Sequence, residues 1–239
     1  MQFKQPGPWL FAVGMIALGV VYLVLASSLG WPAGPLCLII AGSCLLFQRT
    51  GRVAAGVLAL YWLVPLVGIH AYYVFVIPMG VVAWVDGAQA LIFLTVAAAF
   101  AHSRLWLAAR ITLGLTLMLF GGVHILQPTA SGGLLPGWFA APAVWPYIAG
   151  AIQIAAGVMI LAGFRAPLAA FVVGLMWLSW IPLVHLPRLI DTPASGIGAP
   201  VSGAEWIFMV TALALAGAAW SVGERAAVSS GEDFQSHAR

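Results

Sequence analysis

Four side chains in an otherwise apolar sequence have the types that proton chemistry needs: His124, Gln153, His185 and Glu205. A histidine titrates near neutrality and can both give and take a proton. A carboxylate can orient a histidine, and an amide can fix a polar group without titrating. The same two histidines and carboxylate could instead hold a metal in a two-histidine, one-carboxylate set. Their spacing gives that alternative no support, because the ligands come from three separate segments without a His-x-x-His or Glu-x-x-His pair, and no metal is expected. Thiol chemistry is equally unpromising. Cys37 and Cys44 stand seven positions apart, about 10 Å along a helix, beyond the reach of a disulfide.

The elements that must position these residues follow from composition. The chain has 239 residues, is 63% hydrophobic and is only 6% charged, against about 25% for an ordinary soluble domain. One soluble core cannot bury that much apolar surface, so the excess must face lipid. The expected fold class is an all-α polytopic membrane protein of eight transmembrane helices, with apolar runs near 9–28, 33–48, 53–78, 83–101, 107–127, 143–163, 167–187 and 203–221. The second is short and proline-flanked. The first follows Lys4 and could pass for a signal peptide, but its apolar run exceeds the roughly 7 to 15 residues usual in such leaders. With a cytoplasmic amino terminus, Lys4, Arg49, Arg52, Arg104, Arg110, Arg165, Arg225 and Arg239 fall inside and only Arg188 outside. That satisfies the positive-inside rule and makes both termini cytoplasmic, as in a bacterial cytoplasmic membrane protein. The net charge of +3 then marks topology, and no nucleic-acid partner is expected. The polar tail 223–239 is expected to be disordered.

Internal repetition divides the chain. A shift of 115 positions lays residues 53–70 on 168–185, bringing Ala54 onto Ala169, Trp62 onto Trp177 and His70 onto His185. Shifts of 102 and 116 align the first and last helices, pairing Gly19 with Gly121, Tyr22 with His124, and Gln89 with Glu205. The change of shift places an insertion of about a dozen residues around TASGGLLPGWFA. The expected organisation is two parallel four-helix repeats, 1–103 and 104–222, followed by the tail. Gly14, Gly19, Gly114 and Gly121 are expected to let helices pack closely.

Helix rise sets depth. At about 1.5 Å per residue, His124 lies roughly 21 Å above Arg110, and Gln153 sits about 15 Å down from the outer face. His70, His185, Asp86 and Glu205 fall near the outer ends of their helices. Intramembrane ionisable groups mark a functional cavity or a buried pairing. Plainer roles exist for each: Glu205 and Asp86 as first-turn acids, His70 and His185 as interface anchors or helix-to-helix partners. The second half holds His124, Gln153, His185 and Glu205 where the first has Tyr22, Leu38, His70 and Gln89. A working cavity is therefore expected among the last four helices.

The second half also carries Gly122 and His124, then Pro128, then Pro136 with Trp138, then Tyr147 with Gly150. In this order they resemble the DoxX-like membrane family: a G-x-H near the end of helix one, a proline, a P-x-W loop and a Y-x-x-G opening to helix two. Where the family often has a glutamate on helix two, this chain has Gln153. The resemblance implies four-helix units and an association with respiratory or sulfur-compound redox complexes, including quinone reduction. By their own chemistry His124, His185 and Glu205 are the candidate catalytic residues, able to exchange protons with a quinone headgroup. Gln153, Tyr147, Trp138 and Trp177 are the candidate ligand contacts, with Trp145, Trp180 and Trp206 also available to flank a ring. The expected partners are membrane lipid and a redox-complex subunit. Transport of a small weakly polar or hydrophobic substrate, or a non-catalytic structural role with the loop 187–203 as a docking surface, are the alternatives.

Overall fold

Backbone amides in hydrocarbon have no water to bond with, so an apolar chain must close its hydrogen bonds within helices. The computed structural model describes residues 5–25, 32–191 and 199–237, with side chains over 5–25, 32–190 and 205–228. Among the described residues there are helices and no strand. Lys4, Arg239 and the 192–198 part of the loop read as a docking surface lie outside them. The helices are α1 (Pro6–Leu25), α2 (Ala33–Leu45), α3 (Gly51–Val76), α4 (Val81–Ala101), α5 (Trp106–Leu126), α6 (Trp145–Ala162), α7 (Ala166–Ile190) and α8 (Ala199–His237).

Seven helices among the described residues are long and apolar enough to cross a membrane. The exception is α2. Its 13 residues rise about 20 Å, against a hydrocarbon core of roughly 30 Å. The apolar run 33–48 thus overstates the helix, which stops at Leu45 and turns. Thr50 Oγ1 closes that turn by donating to the Cys44 carbonyl at 2.7 Å.

Two helices change pitch midway. Pro65 ends the α-helical part of α3, and a π turn covers Leu66–His70. In α7 a π turn covers Ile181–His185 around Pro182. Proline lacks an amide donor and crowds the preceding turn, and a one-residue widening is a common way to absorb it, frequently at functional sites. Both turns end on a histidine.

Helices that follow one another in the chain pack side by side, and α8 returns to pack along α1. The two halves therefore interlock: α1 leans on α8 and α5 on α4. The backbones of α1 and α4 stay apart, with the Phe11 ring bridging to Phe93 and Phe100 at 6.2 and 5.7 Å. Helix–helix association in lipid gains little from hydrophobicity and depends on close backbone approach between small residues. At the α5–α6 seam, Gly121 meets Gly150 and Gly114 meets Gly157. A Cβ added at Gly121 would lie 2.6 Å from the Gly150 carbonyl oxygen, and one at Gly157 2.6 Å from that of Gly114. At the α1–α8 seam, a Cβ on Gly14 would lie 2.6 Å from the Ala214 Cα.

The tail expected to be disordered is helical through His237. Glu224, in that continuation, accepts a hydrogen bond from the Gly7 amide at 2.9 Å. It thereby satisfies one of the donors that the first turn of α1 leaves open.

The seams predict a contrast between two glycines. Gly157→Ala should lower stability in detergent by about 1 to 3 kcal/mol, because backbone must move to admit the methyl group. Gly122, with nothing within 4 Å of its added Cβ, should tolerate alanine or gain up to about 1 kcal/mol. Thermal unfolding of the two variants side by side checks this, and equal melting temperatures would refute the seam.

Candidate functional site

Counting helix ends along the chain puts the turns with Arg49, Arg52, Arg104 and Arg165 at one end of the bundle. The 127–144 connection and the last turn of α7 lie at the other. The polar side chains gather at this second end, around a cavity of about 430 Å³.

Glu205 is its most constrained member. Only 1% exposed, it accepts from Arg188 Nε at 2.6 Å through Oε1 and from His185 Nδ1 at 2.9 Å through Oε2. A carboxylate in an apolar setting needs such partners. Arg188 Nη1 also donates to the Leu134 carbonyl at 2.8 Å, tying the 127–144 connection to α7 and α8. The π turn helps to set this geometry, because it ends at His185 one turn before Arg188.

His124 is tied differently. Its Nδ1 lies 2.8 Å from the Phe120 carbonyl oxygen one turn back, and its ring lies 5.7 Å from that of Trp180. A carbonyl can only accept, so this nitrogen carries the proton. The same holds for His185 Nδ1 against an ionised Glu205. In a neutral ring with its proton on Nδ1, Nε2 is the acceptor. Gln153 lies on the α6 face of the cavity, wholly buried, and neither of its amide atoms has a hydrogen-bond partner.

Of the seven residues singled out in the sequence, His124, Gln153, Trp177, His185 and Glu205 line this cavity. Trp138 and Tyr147 do not, which corrects the expectation that they contact a ligand there. Tyr147 projects from the first turn of α6, 48% exposed, while Pro146, Ala149 and Gln153 form the cavity face. Trp138 is 58% exposed and stacks 4.1 Å from Phe139, and it is Phe139 that reaches the cavity. Trp145 and Trp180 join the wall, while Trp206 is turned outward. Among the described residues, no three His, Cys, Asp or Glu side chains gather as metal ligands.

Sequence reasoning missed Arg188. The sequence marks it as the one basic residue outside and as part of the loop 187–203, with no sign of its contact with Glu205. That anomaly was itself a signal, since a lone cation near a membrane acid is a candidate partner for it.

The ion pair gives a direct test. Glu205→Gln leaves Arg188 without its carboxylate and should cost about 1 to 3 kcal/mol, below the roughly 3 to 5 kcal/mol of a fully buried pair because Arg188 is partly exposed. Combining it with Arg188→Gln should recover part of that loss, as a double-mutant cycle on thermal stability would read. Strict additivity would mean that the pair contributes nothing.

Residues 105–186, from the turn before α5 to beyond the α7 π turn, match the DoxX family model. No curated protein and no solved structure matches the chain. The matched segment contains Gly122, His124, Pro128, Tyr147 and Gly150, which carry the resemblance, and also Gln153 and His185 of the cavity. On this match and its apolar helices, the chain is an integral membrane protein with a DoxX-like segment.

Proposed function

We propose that the chain is a redox-associated membrane protein that holds a quinone-like ring lipid in the cavity built around Gln153. The observation that carries this reading is the buried Gln153 amide, unpartnered at both atoms on the wall of a largely apolar space. An unmet amide away from water is costly. A ligand oxygen at that depth would supply the missing bond. The volume, about 430 Å³, falls within the roughly 300 to 1,000 Å³ of small-molecule sites. Trp145, Trp177 and Trp180 offer flat faces to a ring.

A bound quinone would supply a two-electron, two-proton couple. The residues of the chain hold its ring and handle its protons. Gln153 Nε2 donates to a carbonyl oxygen, or Oε1 accepts from a hydroxyl. His185 Nε2 takes a proton, and the Glu205 carboxylate behind it steadies the imidazolium. Arg188 Nε donates to the other Glu205 oxygen and so holds the carboxylate in place behind His185. His124 Nε2 offers a second acceptor across the cavity. Electrons need a donor or acceptor outside this chain, which fits a subunit of a redox complex.

The same reading takes the chain as eight transmembrane helices in two parallel repeats, 1–103 and 104–222, with both termini cytoplasmic in a bacterial cytoplasmic membrane. Arginines collected at the end opposite the cavity support that orientation and open the cavity outward. The order of neighbours supports the duplication: α1–α2, α2–α3 and α3–α4 recur as α5–α6, α6–α7 and α7–α8.

Lipid extraction with native mass spectrometry on gently purified protein tests the reading. Wild type should carry a quinone or related isoprenoid, and Gln153→Leu, with its melting temperature maintained, should retain at least fivefold less. Equal retention, or no such lipid in wild type, would overturn it.

A further inference from the structure

A second cavity of about 290 Å³ lies beside the first, sharing Gln89, Phe208 and Thr211 with it as a common wall. Apart from Ile207, its own residues come from the first half, among them Tyr22, Trp62, His70, Asp86 and Phe93. The repeat register sets Tyr22 opposite His124, Trp62 opposite Trp177 and His70 opposite His185. The charges do not correspond. Glu205 is answered by Arg188 in the first cavity, whereas Gln89 stands at the Glu205 position and Tyr73 at the Arg188 position. The acid has moved three residues back to Asp86. Among the described residues, no lysine or arginine lines this cavity, and His70 is its one ionisable base.

Asp86 shares the cavity with His70 and with no permanently charged cation among the described residues, and a membrane carboxylate in that setting is costly unless something else brings the charge. The walls suit a cation. Trp62 is nearly buried, its ring 4.8 Å from that of Phe93. Its indole N–H is taken up by Met15 Sδ at 3.3 Å, so the ring contributes no free donor to the cavity that it lines. Tyr22 and Phe208 add two further rings. Aromatic faces around one carboxylate are the chemistry that recognises organic ammonium groups, with Trp the strongest single contributor. Primary amines would also find hydrogen-bond acceptors in Asp86 and in the Gln89 carbonyl.

We infer that this second cavity is a binding site for an organic ammonium group, held by the Asp86 carboxylate within the rings of Tyr22, Trp62, Phe93 and Phe208. The group comes from a free lipophilic amine or from the headgroup of an aminophospholipid. The two cavities then take different ligands, and this one stands whether or not the first holds a quinone.

Equilibrium dialysis of the full chain in dodecyl maltoside, against labelled n-hexylammonium and the neutral analogue n-hexanol, tests this above an empty-micelle background. Wild type should bind the cation at least tenfold more tightly than the alcohol. Asp86→Asn should abolish the preference, and Gln153→Leu should leave it within twofold. Phosphatidylethanolamine added to the micelles identifies the source: competition points to a lipid headgroup, and no effect points to a free amine, the ammonium site standing in either case. Equal binding of cation and alcohol by wild type would overturn the inference, and needs no variant to fold. An unchanged preference in Asp86→Asn, or its loss in Gln153→Leu instead, would overturn it as well.

Discussion

The bundle depends on how closely backbones can approach when lipid gives helices no hydrophobic reason to associate. Helix α8 meets that constraint most fully. Its buried face is Ala212, Ala214, Ala216, Ala218 and Ala219 with Gly217 and Gly223 among them, and it packs against α1 and α7 while touching α4 and α5. A Cβ at Gly217 would run into the backbone of Leu10 and Phe11. A helix with larger side chains could not sit against so many neighbours. From that central place α8 delivers Glu205 to one cavity and Phe208 and Thr211 to the wall between both. The small-residue packing and the polar site are thus parts of one arrangement.

The polar groups obey a second constraint, which is that each must be answered where water is scarce. Glu205 is answered twice, by His185 and Arg188. His124 returns its Nδ1 to the backbone of its own helix. Gln153 is answered by no protein group. This ordering matters more than a count of polar residues, because satisfied groups explain themselves as structure and the unsatisfied one does not. It also fixes direction. With Nδ1 engaged in both histidines, each ring has Nε2 left as its unengaged nitrogen, while the Gln153 amide has both a donor and an acceptor without a protein partner.

Much of the architecture was legible in the sequence because it rests on composition. The apolar runs give most of the helices, and period and glycine spacing give the seams. The set His124, Gln153, Trp177, His185 and Glu205 converges as depth counting along helices suggests. What was not legible depends on rotation and on contacts between distant segments. Tyr147 and Gln153 share a helix, and only the azimuth about its axis separates an outward tyrosine from an inward glutamine. Trp138 has a neighbour, Phe139, that takes the inward place, and no local rule says which of two adjacent loop aromatics will do so. Arg188 and Glu205 are seventeen positions apart across a segment whose path the sequence does not specify. The polar composition after Gly223 suggested disorder, and it did not reveal that Glu224 would find the open amide of Gly7 at the other terminus.

The asymmetry between the halves has a physical consequence. If the repeats descend from one four-helix unit, the ancestral pair of cavities would have met across α4 and α8, at the wall now made by Gln89, Phe208 and Thr211. Two carboxylates on one shared wall would repel in a low dielectric. The chain holds an amide at Gln89, the register position of Glu205, and carries its acid at Asp86, three residues nearer the start of α4. Once the charge had moved, an arginine at the position of Tyr73 had no carboxylate of its own to meet. One cavity thus holds its charged groups in contact with one another, while the other carries Asp86 with His70 as the one ionisable base among its described lining.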